Sequence, residues 1–97
     1  METTWYLYIL RCCDGSLYTG ITTDVQKRLK AHRTGRGAKY TRGRGPLELV
    51  YQECCGSHSQ ALRRELEMKA LPREKKLCIL SEYEASAEIK EKTAGDS

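Results

Sequence analysis

The sequence predicts an α+β domain in which a small three-stranded antiparallel sheet is flanked by helices, in the order β-β-α-β-α-α. Three observations carry this. Two aromatic and β-branched runs stand on either side of an Asp14-Gly15 pair, a strong hairpin signal. Two stretches of helical periodicity open on residues suited to capping, after Thr23 and after Ser57. A glycine-studded segment, Arg36–Pro46, separates the first of these helices from a further strand.

Taken in order, Trp5–Cys12 is rich in strand-forming residues, Cys13–Ser16 makes the turn, and Leu17–Ile21 is the returning strand. Thr22, Thr23 and Asp24 offer cap oxygens, with Gln26 placed for a capping box from Thr23. A helix over about Asp24–Arg33 follows and stops at Gly35. Leu47–Glu53 reads as the third strand and Ser57–Ala70 as the second helix. Pro72 suits the opening of a third helix running to about Tyr83. Residues 1–83 are thus expected to form the domain, and 84–97 an acidic, disordered C-terminal tail.

The chain has 97 residues, enough for one core but not for a second folded unit. Hydrophobic residues make up 39% and charged residues 31%, the balance of a globular chain rather than a disordered one. No apolar run approaches the length of a membrane span, and no basic-then-apolar leader is visible, so a cytoplasmic protein is expected. Of the five cysteines, four form the adjacent pairs Cys12-Cys13 and Cys54-Cys55. Reduced, buried thiols are the expectation, because structural zinc sites space paired cysteines two to four residues apart. A thiol or zinc protein is the least favoured class.

The net charge of +4 conceals an asymmetry. Lys27, Arg28, Lys30, Arg33, Arg36, Lys39, Arg42 and Arg44 form a basic stretch with no acid among them, whereas Glu82, Glu84, Glu88, Glu91 and Asp96 load the C-terminal end. A basic stripe on a small domain attracts polyanions, nucleic acid first.

Three groups of residues carry chemistry. Tyr6 and Tyr8 share one face of the first strand, and Tyr18 lies across the hairpin. A tyrosine near cations can act as a general base, although aromatic cross-strand pairs are also routine stabilisers. On the first helix Arg28 and His32 stand four apart beside the apolar stripe of Val25 and Leu29. Together they could bind or protonate a phosphate oxygen, or simply edge the core. On the second helix Ala61, Leu62, Leu66 and Ala70 define an apolar arc that contains Glu65 and Lys69, with Arg63, Arg64 and Glu67 facing away. An inward carboxylate needs a partner: either Lys69 at four-residue spacing or a hard cation such as Mg²⁺.

These residues together carry a family resemblance. Tyr6-Leu7-Tyr8 followed by Tyr18-Thr19-Gly20, and then Arg28, His32 and Glu65, resembles the signature of the GIY-YIG nuclease superfamily. The phrases Leu17–Asp24, Gly37-Ala-Lys-Tyr-Thr-Arg42 and Ala61–Glu65 are similar to the small single-domain members, over Trp5 to about Leu80. The first motif lacks its name-giving glycine, and the chain has no Asn, which some members use late in the domain.

The resemblance implies a GIY-YIG endonuclease-like fold and a metal-dependent phosphodiesterase acting on DNA, in repair or recombination. It implies catalytic roles for Tyr8, Tyr18, Arg28, His32 and Glu65, with one tyrosine helping to deprotonate water and Arg28 stabilising phosphate charge. Glu65 is implied as the ligand of Mg²⁺ or Mn²⁺, with no small-molecule cofactor. Lys27, Lys30, Arg33, Arg36, Lys39, Tyr40, Arg42, Arg44 and Lys69 are expected to meet the nucleic acid, which is branched, nicked or single-stranded DNA read by shape rather than sequence. A monomer and no membrane partner are expected. The alternative is a non-catalytic nucleic-acid-binding domain on the same fold.

Overall fold

The computed structural model describes residues 3–37, 41, 43 and 45–95, with side chains as far as Ala85. The elements are β1 (Trp5–Arg11), β2 (Leu17–Thr22), α1 (Val25–Arg33), β3 (Glu48–Gly56), α2 (His58–Ala70) and α3 (Arg73–Gly95). Their order and α+β class are those the sequence predicts. The strands form one antiparallel sheet in the order β2-β1-β3.

Strand β1 is central because it alone is apolar on both faces. Leu7, Ile9 and Leu10 are fully buried, and Tyr8 nearly so. Alternation sends Tyr6, Tyr8 and Leu10 toward Val25 and Leu29 of α1, where they meet Leu47. It sends Leu7 and Ile9 the other way, onto Val50, Met68 of α2 and Leu80 of α3. The sheet is therefore sandwiched, with α1 on one side and α2 and α3 on the other. Among the described residues no helix is long and apolar enough to cross a membrane.

The caps explain the helix starts. Asp24, not Thr23, is the N-cap of α1: its Oδ1 accepts the Lys27 N–H at 3.1 Å. A carboxylate in that place also meets the positive end of the helix dipole. At α2 the expected serine cap is present as a full capping box, Gln60 N–H to Ser57 Oγ at 3.2 Å and Ser57 N–H to Gln60 Oε1 at 2.9 Å.

Three expectations are corrected. The buried stripe of α2 is rotated from the expected arc: Ala61 and Met68 are buried, Ala70 is exposed, and Leu62 and Leu66 are 41% and 67% exposed. Met68 lies seven residues from Ala61 and so shares its face, and the flexible thioether fills the gap against β1. Arg64, expected to face away, turns toward β3 and holds Glu53, with Nε 3.0 Å from Oε1. The third helix does not end at about Tyr83 but continues to Gly95. No Pro or Gly interrupts residues 73–94, and Ala, Glu and Lys dominate the final turns. Of the thiols expected to be buried, only Cys12 is, while Cys13, Cys54 and Cys78 are exposed.

Candidate active site

Tyr8 sits directly opposite Gly20 in the β1–β2 ladder. A β-carbon added to Gly20 would lie 2.6 Å from the Tyr8 hydroxyl oxygen and 2.8 Å from Cζ. The glycine of the Tyr18-Thr19-Gly20 motif is thus the gap through which the Tyr8 phenol crosses β2, a close approach that only a residue without a side chain permits. On the far side the phenol meets α1. Its oxygen is 2.9 Å from Nε2 of His32, and Nδ1 of that ring is 2.8 Å from Oγ1 of Thr41. The backbone at Gly37 lies against the imidazole so closely that a β-carbon there would collide with Nδ1. Tyr8, His32 and Thr41 are 1%, 2% and 2% exposed, so this chain of polar groups runs through the core.

The Arg28 charge and the Tyr18 phenol also lie within electrostatic reach of the Tyr8 hydroxyl. A phenol offers one proton and two lone pairs, and a guanidinium can only donate. Burial pushes the Tyr8 pKa up to about 12, with Arg28 pulling it down and Tyr18 adding to the rise. His32 is held below the usual imidazole value, first by burial and then by the Arg28 charge. Both groups are therefore neutral at neutral pH. The Tyr18 ring stands edge-on to His32, with centroids 5.1 Å apart, and 6.3 Å from that of Tyr8.

Besides a cavity of about 410 Å³ lined by His32 and Thr41, two openings reach this cluster along the edge strand β2. Half-buried Tyr18 lines a cavity of about 320 Å³ with Leu17, Thr19, Lys69 and Lys76. Half-buried Arg28 lines another of about 230 Å³ with Thr22, Thr23 and Lys27. Glu65 approaches from α2, on the other side of the sheet. Its side chain is 18% exposed, and its Oε2 is 3.5 Å from Lys69 Nζ, the same Lys69 that lines the Tyr18 cavity. The ion-pair reading of Glu65 is thus realised, and the pair lies beside the tyrosine opening.

Tyr8, Tyr18, Arg28 and His32 are brought together in one cluster; Glu65 stays on the other side of the sheet, paired with the Lys69 that lines the Tyr18 cavity. Lys27, Lys30 and Arg36 are exposed on and just after α1. Arg33 donates to the Leu47 carbonyl at 3.3 Å, tying the end of α1 to the start of β3. Lys39, Tyr40, Arg42 and Arg44 lie outside the described residues.

Sequence reasoning missed Thr41, Gly37 and Lys76. Nothing in the local pattern marks Thr41, which reaches His32 only through the fold of the glycine-rich loop. The in-strand glycine at 20 was the one readable signal of a close approach. Gly20→Ala is expected to lower unfolding stability by about 1–3 kcal/mol, the usual cost of overpacking a tight core. Chemical denaturation checks this, and an unchanged midpoint would mean that the Tyr8 ring can swing aside.

A UPF0213 protein of Staphylococcus saprophyticus is 53% identical over 77 residues, covering 79% of this chain and 94% of that protein. One of Haloquadratum walsbyi is 54% identical over 82 residues, covering 84% and 92%. The solution structure of a UPF0213 protein from Bacillus halodurans superposes with a TM-score of 0.53 at 54% identity, covering 80% of this chain and 83% of that one. A protein from E. faecalis gives a TM-score of 0.56 at 35% identity, covering 86% and 92%. Residues 4–78 match the GIY-YIG catalytic domain, a span that holds the Tyr8–His32 contact, the Gly20 gap, Arg28 and Glu65. The chain belongs to the GIY-YIG catalytic-domain family.

Proposed function

We propose that the protein is a metal-dependent nuclease that hydrolyses phosphodiester bonds in DNA, acting on branched, nicked or single-stranded forms in repair or recombination. The observation that carries this reading is the packing of half-buried Tyr18 against the buried Tyr8–His32 hydrogen-bonded pair, with Arg28 beside it. A purely structural aromatic cluster has no need of a buried phenol–imidazole hydrogen bond.

Tyr8 is too buried to meet a substrate water, so Tyr18 takes that place. As the water attacks phosphorus, its proton passes to Tyr18, the Tyr18 proton to Tyr8, and the Tyr8 proton to Nε2 of His32. Each phenol oxygen ends with the number of protons it began with, the water oxygen bonds to phosphorus one proton poorer, and the imidazole holds that proton. Since Tyr8 and His32 both resist changing charge at rest, the transfers run in concert with the attack. Arg28 lines the neighbouring opening and places a fixed positive charge where negative charge gathers on the phosphate oxygens. Lys27, Lys30 and Arg36 offer exposed charge to the flanking backbone.

Among the described residues no group of three His, Cys, Asp or Glu side chains could hold a metal ion by itself. A single carboxylate still fits Mg²⁺ or Mn²⁺, since Mg²⁺ keeps several waters and binds through one or two carboxylates together with substrate phosphates. Glu65 is that carboxylate, a hard oxygen donor beside the Tyr18 cavity. Bound there, the ion would polarise a phosphoryl oxygen and stabilise the leaving oxygen. Lys69, 53% exposed, can swing into solvent and release Glu65 at the small cost of a helical surface pair.

The test is a panel of nicked, flapped, branched and single-stranded DNAs with Mg²⁺, Mn²⁺ or chelator, with affinity measured from ~50 to ~200 mM salt. Cleavage of at least one substrate with metal and none with chelator is expected, together with steeply salt-dependent binding. Salt-sensitive binding without cutting of any substrate would instead establish the non-catalytic reading, which the closed Glu65–Lys69 pair favours.

A further inference from the structure

We infer that Thr41 is a positioning residue for the Tyr8–His32 pair: its hydroxyl accepts the Nδ1 proton of His32 and so leaves the Nε2 lone pair turned to the Tyr8 hydroxyl. The tautomer follows from the two contacts and the relative acidity of the groups, while its use in catalysis rests on the nuclease reading above.

A neutral imidazole carries one proton, and the partner of one nitrogen sets the state of the other. Here both nitrogens have partners at hydrogen-bond distance, 2.9 Å to Tyr8 and 2.8 Å to Thr41. The ring is held in place, since it is 2% exposed and the Gly37 backbone is packed against Nδ1. Relative acidity then decides the direction. A phenol is a stronger acid than a threonine hydroxyl or a neutral imidazole N–H, and an imidazole nitrogen is a stronger base than a phenol oxygen, so the Tyr8 proton is given to Nε2. Tyr8 can donate to Nε2 only when the imidazole proton lies on Nδ1, pointing at Thr41.

Thr41 acts again when the ring takes up the Tyr8 proton. An imidazolium has two N–H donors, and a buried donor without an acceptor is costly. The Tyr8 oxygen receives one and the Thr41 hydroxyl oxygen the other. Among the described residues, the charged and titratable groups that face His32 are Tyr8 from β1, Tyr18 from β2, Arg28 from α1, and Arg33, which lines the cavity of about 410 Å³ shared by His32 and Thr41. Both arginines oppose a positive ring, and the Thr41 hydroxyl, like the Tyr8 oxygen, is an acceptor that favours it.

The experiment compares wild type, Thr41→Val and Thr41→Ser. Valine keeps the shape and removes the acceptor; serine restores it. Nitrogen-15 NMR of the His32 side chain reads the tautomer with no reference to activity. Wild type is expected to carry the proton on Nδ1 with Nε2 bare, Thr41→Val to shift it to Nε2, and Thr41→Ser to return it to Nδ1. In cleavage, Thr41→Val is expected to lose about 10²-fold or more in kcat, the scale of proton-transfer catalysis, with serine restoring most of it. The acid limb of the kcat profile is expected to move to lower pH in Thr41→Val, because losing an acceptor disfavours the imidazolium. Mere loosening of the loop would hydrate His32 and move that limb the other way. A wild-type proton on Nε2, or an unchanged tautomer in Thr41→Val, overturns the assignment. If valine prevents folding, the wild-type tautomer and the serine variant still decide. If wild-type protein cuts no DNA while the tautomer is as stated, the positioning role stands and the nuclease reading fails by itself.

Discussion

Glu65→Gln is expected to abolish metal-dependent cleavage while leaving the fold and DNA affinity in place. The substitution keeps the size of the side chain and removes the negative charge that a hard cation requires. Glu65 is the largely buried carboxylate beside the Tyr18 opening, and Lys69 sits 3.5 Å from it. If that ion pair is its whole role, the change costs only about 0.2–0.5 kcal/mol, the usual worth of a helical pair, and cutting survives. If it holds the metal, cutting is lost. The thermal stabilisation that Mg²⁺ gives wild type through binding the native state then disappears as well. Melting curves with and without Mg²⁺, run beside the cleavage assay, separate the two. Retained Mg²⁺-dependent cutting in Glu65→Gln would remove this residue from the metal site.

Arg28→Ala is expected to slow cleavage by about 10²–10³-fold, corresponding to ~2.7–4 kcal/mol of transition-state stabilisation from one preorganised group. The residue is half-buried at the edge of α1, and Val25, Leu29 and His32 supply the buried stripe without it, so the helix is expected to remain docked. A second consequence follows from the electrostatics. Arg28 lowers the pKa of both neighbours, so its removal raises that of His32 toward the ordinary imidazole range and raises that of Tyr8 further. An upward shift of the His32 titration midpoint by NMR, together with lost cutting, places the guanidinium in the cluster. Unchanged cleavage, or a His32 midpoint that does not rise, would leave Arg28 as an edge residue of the core.

The pattern of the chain determined a good deal. Asp14-Gly15 dictates the hairpin, Ser57 and Gln60 dictate the start of α2, and the uninterrupted apolar character of β1 makes it the central strand. Placing Arg28 and His32 beside Val25 and Leu29 required only helical periodicity, and the glycine at position 20 announced a close approach. All of these are local signals, set by dihedral preference, side-chain period and hydrogen bonding within a few residues.

Other features were decided only when the chain closed on itself. The orientation of α2 is one: Leu62 and Leu66 look like core residues in the sequence, yet the face that fits β1 is that of Ala61 and Met68. Thr41 is another, because it lies nine positions beyond His32 and no periodicity links them. The division of labour between the two tyrosines is the third. Tyr8 and Tyr18 are alike in the sequence, but the sheet order puts Tyr8 in the middle strand and Tyr18 on the edge. Burial then closes the first off from solvent and gives the second access to it, a difference that depends on which strand lies outermost rather than on either residue's neighbours in the chain.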